Sequence, residues 1–215
     1  MQLKIDLHVH TLYSSDSLIT QRDLIFYAEK AGLDGVAITD HDTVEGAFKM
    51  ARETDLLVVP GIEISSSNGH IVGLNLGESI PPKLGVDETL DRIHEAGGIA
   101  VACHPAAFFK GSLERHVSSR FDAVEVINSS AFPFKRSVER GREIASECGI
   151  PGVAGSDAHY GPEIGCAYTI VEADREVEET VEAIRKGLCS PVGNAIPLTT
   201  RLRREFLLFK RKICE

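Results

Sequence analysis

Short apolar runs alternate with longer amphipathic stretches along the whole chain. The run "LKIDLHVH" is followed by "TQRDLIFYAEKAG", where apolar residues recur at helical spacing and Gly32 is a candidate C-cap. Further apolar runs are "GVAITDHD", "LLVVPGIEIS", "GHIVGLNL", "IAVACHP", "FDAVEVINSS" and "IPGVAGSDAH". Several of them are almost continuously apolar, as in strands that are covered on both faces. The pattern predicts βαβ units and a mainly parallel sheet.

About seven strand–helix steps favour an α/β barrel over an open doubly wound sheet, although periodicity alone does not separate the two. Neither of the common glycine-rich phosphate-binding motifs follows the first strand, so the nucleotide-binding forms of the open sheet lose support. The chain has no linker rich in Pro, Gly or Ser and no internal repeat. We therefore expect a single barrel domain over residues 1–198, followed by a basic amphipathic tail over residues 199–215.

The tail carries six Lys or Arg residues against two Glu residues. A basic segment of this kind can contact nucleic acid or a protein partner. More often it is an amphipathic helix that docks its apolar face on the domain. We expect the Leu and Phe side chains of the tail to pack on the barrel.

The composition is that of an ordinary globular protein, with 215 residues of which 43% are hydrophobic and 26% charged. A net charge of −9 disfavours a broad nucleic-acid-binding surface. No apolar run approaches about 18 residues and the start lacks a signal-peptide pattern, so we expect no membrane span. Five widely spaced cysteines without a CxxC motif predict reduced thiols in the cytoplasm, rather than disulfides or thiolate-bound zinc.

Residues that commonly bind metals stand at the ends of the apolar runs, where parallel α/β folds collect their chemistry. Six of the eight histidines lie at such ends, whereas His94 and His116 fall in helix-like or loop segments. A lone histidine at a strand end is usually structural. Convergence of independent strands favours a metal site, because so many titratable groups are costly to bury without a cation. The candidate ligands are His8, His10, Asp16, His41, Glu63, His70, His104, Asp157 and His159.

Two pairs of these candidates have the spacing of side chains on one face of a strand. Residues two apart point to the same side, so His8 with His10, and Asp157 with His159, can each be presented together. Imidazole and carboxylate donors without thiolate suit Zn²⁺, Mn²⁺ or Fe. Because one carboxylate can bridge two ions, the nine donors predict two or three divalent metal ions rather than one.

The motifs "HVH", "SSD", "TDHD", "GIEIS", "GHIVGLN", "CHP", "VEVINSS" and "GSDAH" follow one another between residues 4 and 171. This order resembles that of the PHP family, named for polymerase and histidinol phosphatase. The resemblance implies a distorted (β/α)7 TIM-like barrel and a trinuclear metal centre. Carried over by position, the ligand sets are His8, His10, Glu63 and Asp157 for one ion; Glu63, His70 and His104 for a second; and Asp16, His41 and His159 for a third. Asp40, Asp42 and Asn128 would orient the ligands or the substrate.

The resemblance implies a metal-dependent enzyme that hydrolyses phosphomonoesters or phosphodiesters, such as a nucleotide, an oligonucleotide end or a small phosphorylated metabolite. Three divalent ions carry +6 against −3 from the three carboxylate ligands, which favours an anionic substrate. The candidate catalytic residues are His41, His159 and Asp157. Either histidine, or equally a bound water, would protonate the leaving group. Arg136 and Lys110 are candidates to bind a distal phosphate, with plain surface charge as the alternative.

One departure from the family is the short segment "GESIPPKLGVDETLDRIHEAGG", where many relatives carry a larger helical insertion. It leaves room for a loop and one helix, so we expect a more open site. Two alternative functions stay open. An amidohydrolase-type deaminase or amidase also begins with HxH, but it lacks the third ligand set. A metal-depleted, nucleic-acid-associated subunit would have lost ligands that this chain keeps.

Overall fold

Nine strands form one continuous sheet in the computed structural model, which describes residues 1–108 and 111–214. The strands are β1 (Gln2–Val9), β2 (Gly35–Ile38), β3 (Leu57–Ser66), β4 (Gly69–Leu74), β5 (Ile99–Ala102), β6 (Ala123–Asn128), β7 (Gly152–Gly155), β8 (Ala167–Glu172) and β9 (Cys189–Gly193). Their order across the sheet is β7-β6-β5-β4-β3-β2-β1-β8-β9. The strands β1, β2 and β3 run parallel, as do β5, β6 and β7.

The sheet curls until β7 meets β1. Beyond the end of β7, the Asp157 backbone N–H donates to the His8 carbonyl (2.8 Å), and the His10 N–H donates to the Ala158 carbonyl (3.0 Å). The strands β1 to β7 therefore make a nearly closed barrel, which β8 and β9 extend as antiparallel strands beside β1. The predicted single α/β barrel is confirmed.

Six α-helices accompany these strands in the described part of the chain. They are α1 (Gln21–Ala31), α2 (Glu45–Ala51), α3 (Val86–Glu95), α4 (Phe134–Cys148), α5 (Val177–Arg185) and α6 (Leu198–Cys214). Helix α1 shows why such boundaries are readable: the Thr20 hydroxyl accepts the Asp23 N–H (3.1 Å), and the Asp23 carboxylate accepts the Thr20 N–H (3.2 Å). Its last turn closes on Gly32, whose φ of 65° suits glycine, as predicted. Within the described residues, no helix combines the length and apolar character needed to cross a bilayer.

Two features of the sheet differ from the sequence prediction. Strand β4 is antiparallel to both β3 and β5, because a tight turn rather than a helix joins it to β3. Strand β9 was not predicted at all. It contains Pro191 and Gly193, and none of its residues is fully buried, so it lacks the apolar signal of the interior strands.

Large aliphatic side chains fill the interior around the strands. Ile5 on β1, Ile38 on β2 and Ile62 on β3 are completely buried. Burying a side chain of this size stabilises the folded state by about 1.5–3 kcal/mol. The polar residues at the ends of these strands are thus carried on packed, rigid elements.

Helix α6 docks on the barrel through a different face from the one predicted. Its inner face carries Arg201, Arg204 and Arg211 together with half-buried leucines. The other apolar side chains point outward and are 56–70% exposed; they are Leu198, Leu202, Phe206, Phe209 and Ile213. The expectation that this apolar face covers the barrel is wrong, because the barrel surface beneath α6 offers backbone carbonyls and a carboxylate that pair with arginine.

Candidate metal centre

The end of β1 places two imidazoles side by side beneath the barrel mouth. The Nε2 atoms of His8 and His10 lie 3.1 Å apart, and both rings are buried. Glu63 Oε2 lies 3.4 Å from His8 Nε2 and 3.1 Å from His10 Nε2. Asp157 Oδ1 lies 3.8 and 3.5 Å from the same two atoms. Four donors from β1, β3 and the loop after β7 therefore face one point.

The other oxygen of Glu63 faces a second group of donors. Glu63 Oε1 lies 2.8 Å from His70 Nδ1 and 2.8 Å from His104 Nε2. The Cys103 sulfur is 3.6 Å from the same oxygen, and burial raises the pKa of this thiol well above 9.0. In the metal-free protein Cys103 is therefore a neutral thiol beside the carboxylate and imidazole donors.

A third group lies nearer the solvent. Asp16 Oδ2 is 3.4 Å from His41 Nε2 and 3.2 Å from His159 Nε2, and the Asp16 side chain is 48% exposed. Burial would raise the pKa of Asp16, but hydrogen bonds from His159 and His41 outweigh it and hold that pKa below its usual value. His41 Nδ1 also lies 3.3 Å from Glu63 Oε2, so Glu63 is the centre of all three groups.

These donors fit divalent cations. Ligand atoms bound tetrahedrally to Zn²⁺ at about 2.0–2.1 Å lie roughly 3.3 Å apart, close to the separations in the first group. Asp16 Oδ1 and His104 Nδ1 are buried without a hydrogen-bond partner among the described residues. The site contains four overlapping groups of His, Cys, Asp and Glu residues, and within each group the possible ligand atoms lie within 4.8 Å of one another. The structure brings all nine predicted ligands together.

In the metal-free cluster, the negative charge of Glu63 attracts the histidines that surround it. Burial disfavours the charge of this carboxylate, but the surrounding histidines, His8 first, hold its pKa well below 4.5. Burial likewise opposes the charge of His10, yet its contacts with Asp157 and Glu63 raise its pKa to about 9. Two protonated rings 3.1 Å apart repel each other, so a bound cation that replaces the protons relieves this conflict.

Glu125 orients the ring of His8, and sequence reasoning did not single it out. Its Oε1 lies 3.1 Å from His8 Nδ1, while Oε2 accepts the backbone N–H of His104 (2.8 Å). The Asn128 amide donates to Glu125 Oε2 (2.9 Å) and to Asp157 Oδ2 (3.1 Å). A carboxylate on the far nitrogen of a ligating histidine fixes its tautomer. The available signal was an acidic residue inside the apolar run "VEVIN".

Asp40 and Asp42 have different surroundings. Asp40 accepts hydrogen bonds from the Thr11 N–H (2.6 Å) and the Ser14 hydroxyl (2.9 Å), and that hydroxyl lies 3.2 Å from His10 Nδ1. Asp40 therefore positions His10 through Ser14. Asp42 instead accepts the Ser65 N–H (2.8 Å) and fixes the backbone after Glu63.

The backbone is unusual at the same place. His104 and Asp157 have φ angles of 33° and 55°, in a region that non-glycine residues enter at a cost of about 1–3 kcal/mol. Gly155, at the end of β7, lies so close to His8 that an added Cβ would be 2.7 Å from Glu125 Oε1. The absence of a side chain at Gly155 makes room for the ring and its carboxylate.

A cleft of about 530 Å³ opens from the third donor group. It is lined by Asp16 and His159, by Phe108 and Phe132, and by residues of helix α6. Arg136, a predicted phosphate contact, lies over the Phe108 ring at 5.1 Å and lines a neighbouring cleft that contains none of the nine donors. Lys110, the other predicted contact, lies outside the described residues.

The chain matches the PHP domain family over residues 6–125 and the PHP-associated family over residues 135–189. It therefore belongs to the PHP family of metal-dependent phosphoesterases and is a hydrolase that acts on phosphoesters, as the order of its motifs predicted.

Three relatives and one structure illustrate the match. The uncharacterized protein MJ1587 of Methanocaldococcus jannaschii is 39% identical over 141 residues, which cover 59% of this chain and 82% of that protein. The "Probable phosphatase" of Caldicellulosiruptor bescii is 25% identical, with 79% of this chain and 85% of that protein covered. A 5'-3' exoribonuclease of Haemophilus influenzae is 30% identical, but the match covers only 47% of this chain and 39% of that enzyme.

One matching solved structure comes from Bacteroides vulgatus. It is a two-domain protein described as containing a predicted PHP-like metal-dependent phosphoesterase, and it superposes with a TM-score of 0.71 and 18% identity. The match covers 96% of this chain and 69% of that protein. At this identity the likeness supports the barrel fold and nothing finer.

Proposed function

We propose that this protein hydrolyses phosphomonoesters or phosphodiesters through a trinuclear centre of Zn²⁺, Mn²⁺ or Fe. The observation that carries the proposal is the position of Glu63, whose two oxygens each face imidazoles from different strands, at 2.8–3.4 Å. A carboxylate shared in this way is suited to bridge two ions. The ligand sets are those expected from the sequence: His8, His10, Glu63 and Asp157; Glu63, His70 and His104; Asp16, His41 and His159.

Bound ions would lower the pKa of a coordinated water to about 7 and hold the phosphoryl oxygens as charge develops. The chain's own residues supply the rest of the chemistry. Glu125 and Ser14 hold the rings of His8 and His10 in fixed orientations. The Nε2 atoms of His41 and His159 both point at Asp16, so these rings act as ligands, and water in the cleft delivers the leaving-group proton.

The cleft favours a substrate with an anionic group and a further, partly apolar part. Arg201, Arg204 and Lys212 bring three positive charges to its lining against the negative charges of Glu205 and Asp16, and the half-exposed rings of Phe108 and Phe132 line it too. A nucleotide, an oligonucleotide end or a phosphorylated metabolite has both features. The names of two relatives, an exoribonuclease and a phosphatase, support the same range of substrates.

The test is a panel of phosphoesters assayed with the full chain loaded with Mn²⁺, Zn²⁺ or Fe²⁺. The panel contains p-nitrophenyl phosphate, its bis ester, nucleoside monophosphates and a 5'-phosphorylated oligoribonucleotide. We expect metal-dependent release of product from at least one of them, and a loss of at least about 100-fold in His10→Ala. His116→Ala, outside the centre, should keep full activity.

Failure of all four substrates with all three metals would contradict the proposal. Including a p-nitroanilide in the panel tests the amidohydrolase alternative, since that enzyme type would cleave the amide and leave the phosphoesters intact.

The free thiols of Cys103, Cys148, Cys166 and Cys189 support a reducing, cytoplasmic location.

A further inference from the structure

Helix α6 presents three arginines along one side, and each binds a different loop at the barrel mouth. Arg211 donates to the carbonyl of Ser17 (2.7 Å) and to that of Ser15. These two carbonyls flank Asp16, the carboxylate of the third donor group. The guanidinium therefore holds the backbone of Asp16 on both sides.

Arg204 acts on the second loop through a buried carboxylate. Its Nη1 lies 3.1 and 3.2 Å from the two oxygens of Glu163, which is completely buried. Glu163 Oε2 in turn accepts the backbone N–H of His159 (2.9 Å) and that of Tyr160 (3.1 Å). The position of His159 thus depends on an ion pair with α6.

Arg201 binds the third loop, which follows Asn128. It donates to the carbonyls of Ser129 (2.7 Å) and Ser130 (3.1 Å). Two of the three loops are also joined directly, since the Leu18 N–H donates to the His159 carbonyl (2.8 Å). Helix α6 therefore fastens together the segments that carry Asp16 and His159.

We propose that α6 is an arginine clamp that positions Asp16 and His159 and so sets the affinity of the third metal site. The first two donor groups depend less on loops, because His8, Glu63 and His70 stand on the strands β1, β3 and β4. The third group stands on loops and is the most exposed of the three. This inference rests on the proposed metal centre and assigns a role to a segment that lies beyond both matched family regions.

The test compares Arg211→Gln with Arg203→Gln in the full chain. Arg211 donates to the two carbonyls beside Asp16, whereas Arg203 is exposed on the same helix and serves as the matched control. Mn²⁺ binding to the metal-stripped proteins is measured by calorimetry, and metal content by mass spectrometry after desalting. Circular dichroism establishes that each variant is folded.

We expect Arg211→Gln to weaken the weakest-bound Mn²⁺ by about 10–100-fold and to leave the tighter sites unchanged, while Arg203→Gln matches the wild type. If Arg211→Gln instead weakened all the metal sites together, the cause would be a general loss of stability, and the clamp would be overturned. Arg211→Lys keeps the positive charge but not the planar guanidinium that donates to two carbonyls at once. It should show an intermediate loss of affinity at the third site.

An affinity of the third site within twofold of wild type in both Arg211 variants would also overturn the clamp, and would leave the proposed function standing. A wild-type protein that binds no third ion would overturn the clamp together with the trinuclear form of the proposed centre, and a two-ion centre would remain.

Discussion

Glu125 Oε1 lies 3.1 Å from Nδ1 of His8, on the opposite side of the ring from the nitrogen that faces His10 and Glu63. The same carboxylate accepts the backbone N–H of His104. One buried acid on β6 therefore orients ligands of two different donor groups, and its role follows from contact rather than from any motif.

Glu125→Gln should lower the affinity for the buried ions by about 10–100-fold, because the neutral amide no longer fixes the His8 tautomer. The measurement is a calorimetric titration of the metal-stripped protein with Zn²⁺. Glu139→Gln, on the exposed face of α4, is the matched control. Unchanged affinity in Glu125→Gln would show that the ring is held by other contacts.

Gly155→Ala should lower the melting temperature, because the added methyl group overcrowds the backbone next to His8. The new methyl group would press on Glu125 Oε1 and the His8 side chain, and overpacking of this kind costs about 1–3 kcal/mol. Each kcal/mol lowers the melting temperature of a chain of this size by about 2–4 °C. Gly77→Ala, where an added Cβ meets nothing within 4 Å, should melt like the wild type. Equal melting temperatures for the two variants would refute the close packing at Gly155.

The metal-stripped protein should lose stability as the pH rises from about 6.5 to 9. The folded-state pKa of His10 is raised to about 9 from 6.5, so the folded protein holds this proton more tightly than the unfolded chain. Its contribution to the free energy of unfolding is complete below about pH 6.5 and is lost as the pH passes about 9. Thermal melting across this range measures the effect.

His10→Gln is the control for this pH dependence, because it removes the titrating group. Its melting temperature should fall less between pH 6.5 and 9 than that of the metal-stripped wild type. Parallel curves for the two proteins would assign the dependence to other groups.

Asp16→Asn should remove one ion and spare the rest. The substitution takes away the negative charge between His41 and His159, whereas the Glu63-centred groups keep all their donors. We expect the bound metal to fall by about one ion per chain and the phosphoesterase rate to fall with it. Asp55→Asn, at an exposed position, should change neither quantity. Loss of all ions in Asp16→Asn would show that the groups are not separable.

Much of this arrangement was readable from the sequence because strand ends in a barrel converge. The spacing of His8 and His10 predicts a shared face at the end of β1, whereas Asp157 and His159 lie in the loop beyond β7 and join different donor groups. The shortened segment before β5 contains one helix, α3, as predicted. The alternation of apolar and amphipathic runs favours a barrel, and the family resemblance implies it.

Other features leave little trace in a sequence. A buried Glu125 inside an apolar strand is recognisable as functional only once its partner is known. The arginines of α6 bind backbone carbonyls, which every residue possesses, so no pairing of side chains marks the docking face. The direction of β4 depends on the turn before it rather than on its own residues.

The metal content of the full chain tests the central claim most directly. After loading with Mn²⁺ or Zn²⁺ and desalting, mass spectrometry should find two or three ions per wild-type chain. Glu63→Gln should lose more than one of them, because both Glu63 oxygens face separate donor groups. A wild-type protein that retains no metal, or a Glu63→Gln variant that retains it all, would contradict the account.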